Sequence, residues 1–488
     1  MIPVTTSAGQ RVAVFGLGAS GTATAQALSA GGADVAAWDD GATSREAAAR
    51  AGVALVDLTR ADWSTFASLV LAPGVPLTHP EPHWVVRKAR AVGVEVIGDI
   101  ELFCRERAAC CPASPFVAIT GTNGKSTTTA LVSHILRGAG RDVQMGGNIG
   151  RAILTLDPPT VDRIHVIEMS SFQIDLTPSL VPTIGALLNI TPDHLDRHGP
   201  ADDAEAAMRN YAAIKERLIL ASKLAVIGLE RDDETADDFC ALIYHRLIQK
   251  KQPVRAFTRQ PSAVVGMTYF EGGKVHRQVA LDRGGDTSDV LVDLAGIDTL
   301  RGAHNGENAA AALILCEGLS VPRDVIDREM RTYPGLPHRM EQVGCAGRVV
   351  FINDSKATNA ESTQKALSSW GGGIYWILGG KPKEGGIGSL APLFGRVAKA
   401  YLIGQASEMF ADALTGHVPF ERCGTLEVAV SRAAEDAKTS TADEPVVLLS
   451  PACASYDQFK SFEHRGDQFR ALARALPGVS VASGTPRS

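Results

Sequence analysis

No apolar run in this chain approaches the ~18 residues that a membrane-spanning helix needs. The opening Met1-Ile2-Pro3-Val4-Thr5-Thr6 lacks a charged stretch followed by an apolar core, so no secretory signal is expected. Basic residues are in deficit: 48 Lys and Arg stand against 54 Asp and Glu, a net charge of −6. That leaves no broad positive surface for nucleic acid or anionic lipid, and any phosphate must be recognised locally. The eight cysteines (104, 110, 111, 240, 316, 345, 423 and 453) form no C-x-x-C pair and no regular spacing. Neither a zinc site nor a disulfide framework is indicated, and idle thiols in a reducing cytosol are expected. Short repeats and low-complexity stretches are absent too.

What remains is the composition of an α/β enzyme: 488 residues, 45% hydrophobic, 21% charged, with 48 glycines. The length exceeds what one core supports and predicts three domains, at 1–112, 113–334 and 335–488. In the first, strand-like segments at 11–15, 33–38, 68–72 and 94–97 alternate with alanine-rich helical stretches. The second has strands at 116–119, 164–168, 184–188 and 224–228, helices from near 125 and 203, a tail of irregular strands and loops over 252–300 and a helix at 305–319. The third follows the turn-prone Tyr333-Pro334-Gly335-Leu336-Pro337, with strands at 348–352, 374–378, 399–403 and 445–449. Its helices are expected near 360–369, 386–396, 425–437 and 463–475.

Residues 120–128, Thr-Gly-Thr-Asn-Gly-Lys-Ser-Thr-Thr, follow the apolar run Phe116-Val117-Ala118-Ile119. Such a turn cradles a nucleoside triphosphate: backbone N–H groups around Gly121 and Gly124 wrap phosphate, Lys125 reaches the outer phosphates and Ser126 ligates Mg²⁺. The full phosphate-loop pattern wants glycine at position 119, where Ile119 stands, so an ordinary strand-to-helix turn stays open. Gly16-Leu17-Gly18-Ala19-Ser20-Gly21, with Asp39 ending the next strand, matches the dinucleotide fingerprint. The same geometry accepts NAD, the diphosphate of a UDP-sugar, or no ligand at all.

Further along, Glu168 ends the strand beginning at Ile164, where a Mg²⁺ ligand belongs beside a phosphate loop, although a lone glutamate is more often superficial. Asn189-Ile190-Thr191-Pro192-Asp193-His194-Leu195-Asp196-Arg197-His198 offers a second hard-metal position or a plain polar loop. Lys215 has the spacing of a solvated helix lysine.

Four strings downstream place polar groups at element boundaries: Gly302-Ala303-His304-Asn305-Gly306-Glu307-Asn308, Leu336-Pro337-His338-Arg339, Asn353-Asp354-Ser355-Lys356-Ala357-Thr358-Asn359 and Ser450-Pro451-Ala452-Cys453-Ala454-Ser455. Taken with the glycine loops, they make the chain resemble the Mur ligases of peptidoglycan synthesis from Gly16 to Phe469. The fit is closest to the branch that adds D-glutamate to UDP-N-acetylmuramoyl-L-alanine. The short phosphate loop of that family also accounts for Ile119, its glycine falling at Gly121.

The resemblance implies an N-terminal Rossmann-like UDP-binding domain, a central ATP-binding domain with a parallel or mixed sheet, and a C-terminal Rossmann-like domain. It implies UDP-sugar contacts at Gly18, Ala19, Ser20, Asp39 and Asn148. ATP would meet Gly121, Thr122, Asn123, Gly124, Lys125, Ser126, Thr127, Asn308, Arg339 and Asp354. Two Mg²⁺ ions would be served by Ser126, Glu168, His194 and Lys215, the last as a CO₂-derived carbamate. D-glutamate would meet Thr358, Ser455, Phe462 and Lys383, with Lys381 the alternative lysine. Lys125, Lys215, His194 and Glu168 would carry catalysis, in a cytoplasmic monomer that neither binds nucleic acid nor enters a membrane. A sister ligase or a folylpolyglutamate synthase is the nearest rival, followed by an NAD oxidoreductase and a nucleotide switch without catalysis.

Overall fold

The computed structural model describes residues 1–200, 202–229, 238–261, 264–282, 285–382 and 385–480, with backbone alone at 280–282, 285–287 and 298. Two compact units emerge: residues 1–294 with 303–330, and residues 295–302 with 331–488.

The first unit holds two sheets. Strands β1 (Arg11–Phe15), β2 (Asp34–Trp38), β3 (Ser68–Leu71) and β4 (Glu95–Ile97) form a parallel sheet in the order β2-β1-β3-β4. The chain leaves β1 toward β2 and returns to its other side as β3. That reversal opens a crevice at the C-terminal end of β1, where ligands of such sheets sit. Gly16 turns the chain there at φ +93°, and a Cβ on Gly21 would overlap the Gly16 carbonyl oxygen. These two glycines let the helix Ala19–Ala30 start directly against the strand.

Below this sheet runs the helix Asp99–Cys110, buried on nearly every side. It ties the two sheets of the unit together. The Gly98 N–H donates to Leu176 O at 2.8 Å, and Glu101 accepts from Ser179 N and Oγ at 2.9 and 2.6 Å.

The second sheet has nine strands: β5 (Phe116–Thr120), β6 (Asp142–Gly147), β7 (Arg163–Glu168), β8 (Ile184–Leu187), β9 (Leu224–Leu229), β10 (Val254–Thr258), β11 (Thr268–Glu271), β12 (Lys274–Asp282) and β13 (Gly285–Asp293). Their order is β13-β12-β11-β10-β9-β8-β5-β7-β6, parallel from β6 to β11 and antiparallel through β12 and β13. Every residue of β5 is buried, as befits a strand with helices over both faces. It lies between β7 and β8, so a second switch point falls at Thr120, where the phosphate loop begins. The tail expected as irregular strands and loops carries β10 to β13.

In the second unit, β14 (Glu341–Ala346), β15 (Val349–Asn353), β16 (Ile374–Gly379), β17 (Val397–Ile403), β18 (Phe420–Gly424) and β19 (Val446–Leu449) order as β14-β15-β19-β16-β17-β18. All neighbours are parallel except β14 against β15. The segment expected as a helix at 386–396 is a 3-10 helix over Gly388–Arg396 instead. Pro392 inside it lacks the N–H that an α-helix would use.

Candidate functional site

The loop between β5 and the next helix is held by contacts from its neighbours. Gly121 stands at φ +152° and Gly124 at φ +82°, and Gly124 caps the helix Lys125–Gly138. Asn189, just past β8, grips the loop from the side: its Oδ1 accepts from Asn123 N at 2.8 Å and its Nδ2 donates to Asn123 O at 3.2 Å. Thr122 Oγ1 donates to Thr191 O at 3.0 Å and lies 3.1 Å from the Tyr211 hydroxyl. Asn308 Oδ1 accepts from Thr128 Oγ1 at 3.2 Å and occupies the space a Cβ on Gly124 would need. Asn308, named from the sequence, therefore backs the loop from the helix Ala303–Gly318.

Lys125 curls over this loop, its Nζ 2.9 Å from Gly121 O and 2.7 Å from Thr122 O. Lys215 Nζ reaches the same Gly121 oxygen at 2.9 Å and Thr120 Oγ1 at 3.2 Å. Two amines thus share one carbonyl. The spacing argument that put Lys215 in solvent is corrected here: it is 1% exposed. Burial drives its pKa well below that of an ordinary lysine, and the Lys125 charge adds to the effect against the pull of Asp193, Cys240 and Glu168. Burial thus makes this amine give up its proton more readily than an ordinary lysine.

Glu168 is buried at the end of β7. Its Oε1 accepts from Asn148 Nδ2 at 2.7 Å, while Oε2 has no hydrogen-bond partner. An unsatisfied buried carboxylate oxygen at the end of β7, the strand beside β5, suits a hard cation that brings its own water and phosphate ligands. No group of three His, Cys, Asp or Glu residues among the described residues forms a ready-made metal cage. His194 stands at φ +50°, mostly exposed, 3.6 Å from Asp193.

The buried histidine of that loop is His198, the second of its two, and not His194. It stacks on Phe172 at 5.2 Å and 6°, and its Nε2 lies 2.9 Å from Ser171 Oγ. Burial, with Lys215 next in importance, brings its pKa down to about 4, so the ring is neutral.

At the first glycine loop, both Asp39 oxygens hold backbone: Oδ2 accepts from Leu17 N and Oδ1 from Gly41 N, each at 2.7 Å. Ser20 Oγ donates to the buried Asp99 at 2.5 Å. Gly18 has nothing within 4 Å of where a Cβ would stand, so its side faces open space.

In the second unit, Asp354 follows β15 and is buried, accepting from Met340 N at 3.2 Å and Ser450 Oγ at 2.9 Å. Burial pushes its pKa up to about 7 in spite of those donors and Arg339. Lys356 Nζ lies 4.0 Å from the centre of the Phe462 ring. Lys381 N donates to Ala454 O at 2.9 Å, which sets that loop beside the buried Ser455. Thr358 is half-buried, and Lys383 lies outside the described residues. Arg465, fully buried and unforeseen, reaches Ser355 O at 2.9 Å, Cys453 O at 3.1 Å and Gly379 O at 3.5 Å. Ser355 and Cys453 lie in the loops after β15 and β19, and Gly379 ends the neighbouring β16.

Comparison with known proteins accords with these loops. The family described as "Mur ligase middle domain" matches residues 119–316, and "Mur ligase, glutamate ligase domain" matches 338–453. A UDP-N-acetylmuramoylalanine–D-glutamate ligase of Nitrobacter hamburgensis is 56% identical over 484 residues, covering 98% of this chain and 99% of the relative. One of the same name from Brucella abortus is 55% identical, covering 99% and 100%. Among solved structures, the UDP-N-acetylmuramate-alanine ligase of Thermotoga maritima aligns with a TM-score of 0.55 at 16% identity, over 96% of this chain and 99% of its own. That likeness concerns the fold.

Proposed function

The chain belongs to the Mur ligase family, and on that premise we propose that it joins D-glutamate to UDP-N-acetylmuramoyl-L-alanine with cleavage of ATP to ADP and phosphate. The observation that carries the specific reaction is full-length identity above half to ligases of that name. The convergence of Lys125, Lys215 and Glu168 on one end of β5 supports the chemistry.

Amide formation from a free carboxylate is uphill in water, so the carboxylate must first be activated. Its oxygen attacks the γ-phosphorus of ATP, ADP leaves, and an acyl phosphate forms. The D-glutamate amine then attacks the acyl carbon, the tetrahedral intermediate expels phosphate, and the amine proton passes to solvent. Lys125 would leave the Gly121 and Thr122 carbonyls for the β- and γ-phosphates, while the loop N–H groups hold the phosphate chain. Glu168, Ser126, His194 and Lys215 as a carbamate are the residues that would hold Mg²⁺, which neutralises charge on the transferring phosphoryl group. Addition of CO₂ needs the unprotonated amine, and burial shifts Lys215 toward that form, which favours it for the carbamate.

Gly18, Ala19, Ser20 and Asn148 would face the UDP-sugar, with Asp39 holding the turn that receives it. Asn308, Arg339 and Asp354 would contact the nucleotide. Thr358, Ser455, Phe462 and Lys383 or Lys381 would take D-glutamate, whose carboxylates call for cationic and hydroxyl donors. Domain limits at 112 and 334 assign one sheet to each substrate. Among the described residues no helix is long and apolar enough to cross a membrane, and a cytoplasmic monomer fits this role.

The test is phosphate release from ATP with UDP-N-acetylmuramoyl-L-alanine and, in turn, D-glutamate, L-glutamate, L-alanine and diaminopimelate. Turnover is expected only with D-glutamate. A preference for any other amino acid overturns the assignment.

A further inference from the structure

Arg339 sits on an unusual turn. Its two neighbours, His338 and Met340, both adopt left-handed backbone, at φ +63° and +47°, a region disfavoured for residues with a Cβ. Something must hold them there. Met340 N donates to Asp354 Oδ1 at 3.2 Å, and His338 N donates to Glu341 Oε2 at 2.8 Å.

Glu341 is itself buried, on the first residue of β14. Asn353 Nδ2 donates to its Oε2 at 2.9 Å, and the guanidinium of Arg470 closes on both oxygens, Nε to Oε1 and Nη2 to Oε2, each at 2.9 Å. Arg470 projects from the helix Phe462–Ala475, whose Gly466 leaves room for His338: a Cβ there would overlap the imidazole. The Arg339 side chain, by contrast, is exposed.

A planar fork on a buried carboxylate fixes its orientation in two dimensions, which a single contact does not. From this geometry we infer that Arg470, through Glu341, is a positioning residue for nucleotide binding: the pair locks the left-handed turn and so aims Arg339 before ATP arrives. The inference rests on the reading of Arg339 as a nucleotide contact. Preorganisation of this kind removes an ordering cost from binding and leaves the amino-acid substrate untouched.

The experiment is a double-mutant cycle in the full chain, reading KM for ATP, KM for D-glutamate, and binding of a fluorescent ATP analogue. Arg470→Ala is expected to raise KM and Kd for nucleotide about tenfold, a typical coupling for contacting groups, with KM for D-glutamate unchanged. Arg470→Lys, which restores charge without the fork, recovers part of the loss. In an Arg339→Ala background, Arg470→Ala adds nothing. Should Arg470→Ala fail to fold, Arg470→Gln carries the same comparison. An unchanged nucleotide Kd, or a full additive effect in the Arg339→Ala background, overturns the inference alone. Normal nucleotide affinity in Arg339→Ala by itself overturns the reading of Arg339 as a nucleotide contact, and the inference with it.

Discussion

Asp354 makes a sharp prediction about stability. Its carboxyl is held in the protein with a pKa of about 7, against 3.8 for the unfolded chain, because burial opposes its charge more than Ser450, the Met340 N–H and Arg339 favour it. The folded protein therefore binds a proton there between about pH 4 and pH 7 that the unfolded chain has already released. Stability is fullest below the unfolded value and falls as pH rises toward the folded one. A rise of roughly three units, at about 1.4 kcal/mol each, amounts to about 4 kcal/mol over the window. Asp354→Asn keeps the shape and cannot ionise. Urea unfolding of both proteins from pH 4 to pH 8 isolates this residue, since every other titrating group is common to the two. The variant should gain on the parent by about 1.4 kcal/mol per pH unit up to neutrality and then level off. A difference that stays flat between pH 5 and pH 8 refutes the reasoning.

A matched pair of glycines tests the first loop. Gly21→Ala, whose methyl would collide with the Gly16 carbonyl, should cost about 2–3 kcal/mol in chemical denaturation. Gly18→Ala, with open space, should leave stability within about 0.5 kcal/mol and weaken UDP-sugar binding in calorimetry; the reverse ranking would discredit the assignment of the loop. Glu168→Gln keeps the Asn148 contact and loses the charge, so half-maximal turnover should need about tenfold more Mg²⁺, and an unshifted Mg²⁺ curve counts against a metal role. Lys215→Ala should nearly abolish turnover, with formate or acetate restoring part of it; full activity without either removes the carbamate from the mechanism.

The parts of the molecule governed by local chemistry were legible in the chain. Strands β1, β5, β16 and β19 are continuous apolar runs, and the glycines of both loops declare their turns. Less visible were β6, which ends in two glycines, and β18, whose Phe-Glu-Arg-Cys-Gly presents little apolar surface. The edge strand β14 hides in the same way, since its role is set by β15 beside it. Lys215 was misplaced because a single lysine reads as solvated. Its neighbours Tyr211, Ala212, Leu218 and Ile219 are all buried on one stripe of the helix Ala204–Ala221, and a cation on that stripe was the available signal. The burial of His198, one of two histidines in a polar string, and of Arg465 had no such signal. Their burial depends on Phe172 and on three strand-end loops that only the folded chain assembles.

The oxygen at Gly121, claimed by two amines at once, joins two equilibria that look separate on paper. An anion that lures Lys125 away would relieve the smaller, electrostatic part of the pressure on Lys215 and leave the larger part, burial, in place, whereas a negative group grafted onto Lys215 would tether Lys125 more firmly. By thermodynamic reciprocity, an anion bound at Lys125 and the titration of Lys215 would then report on each other, so a calorimeter following one would also measure the other.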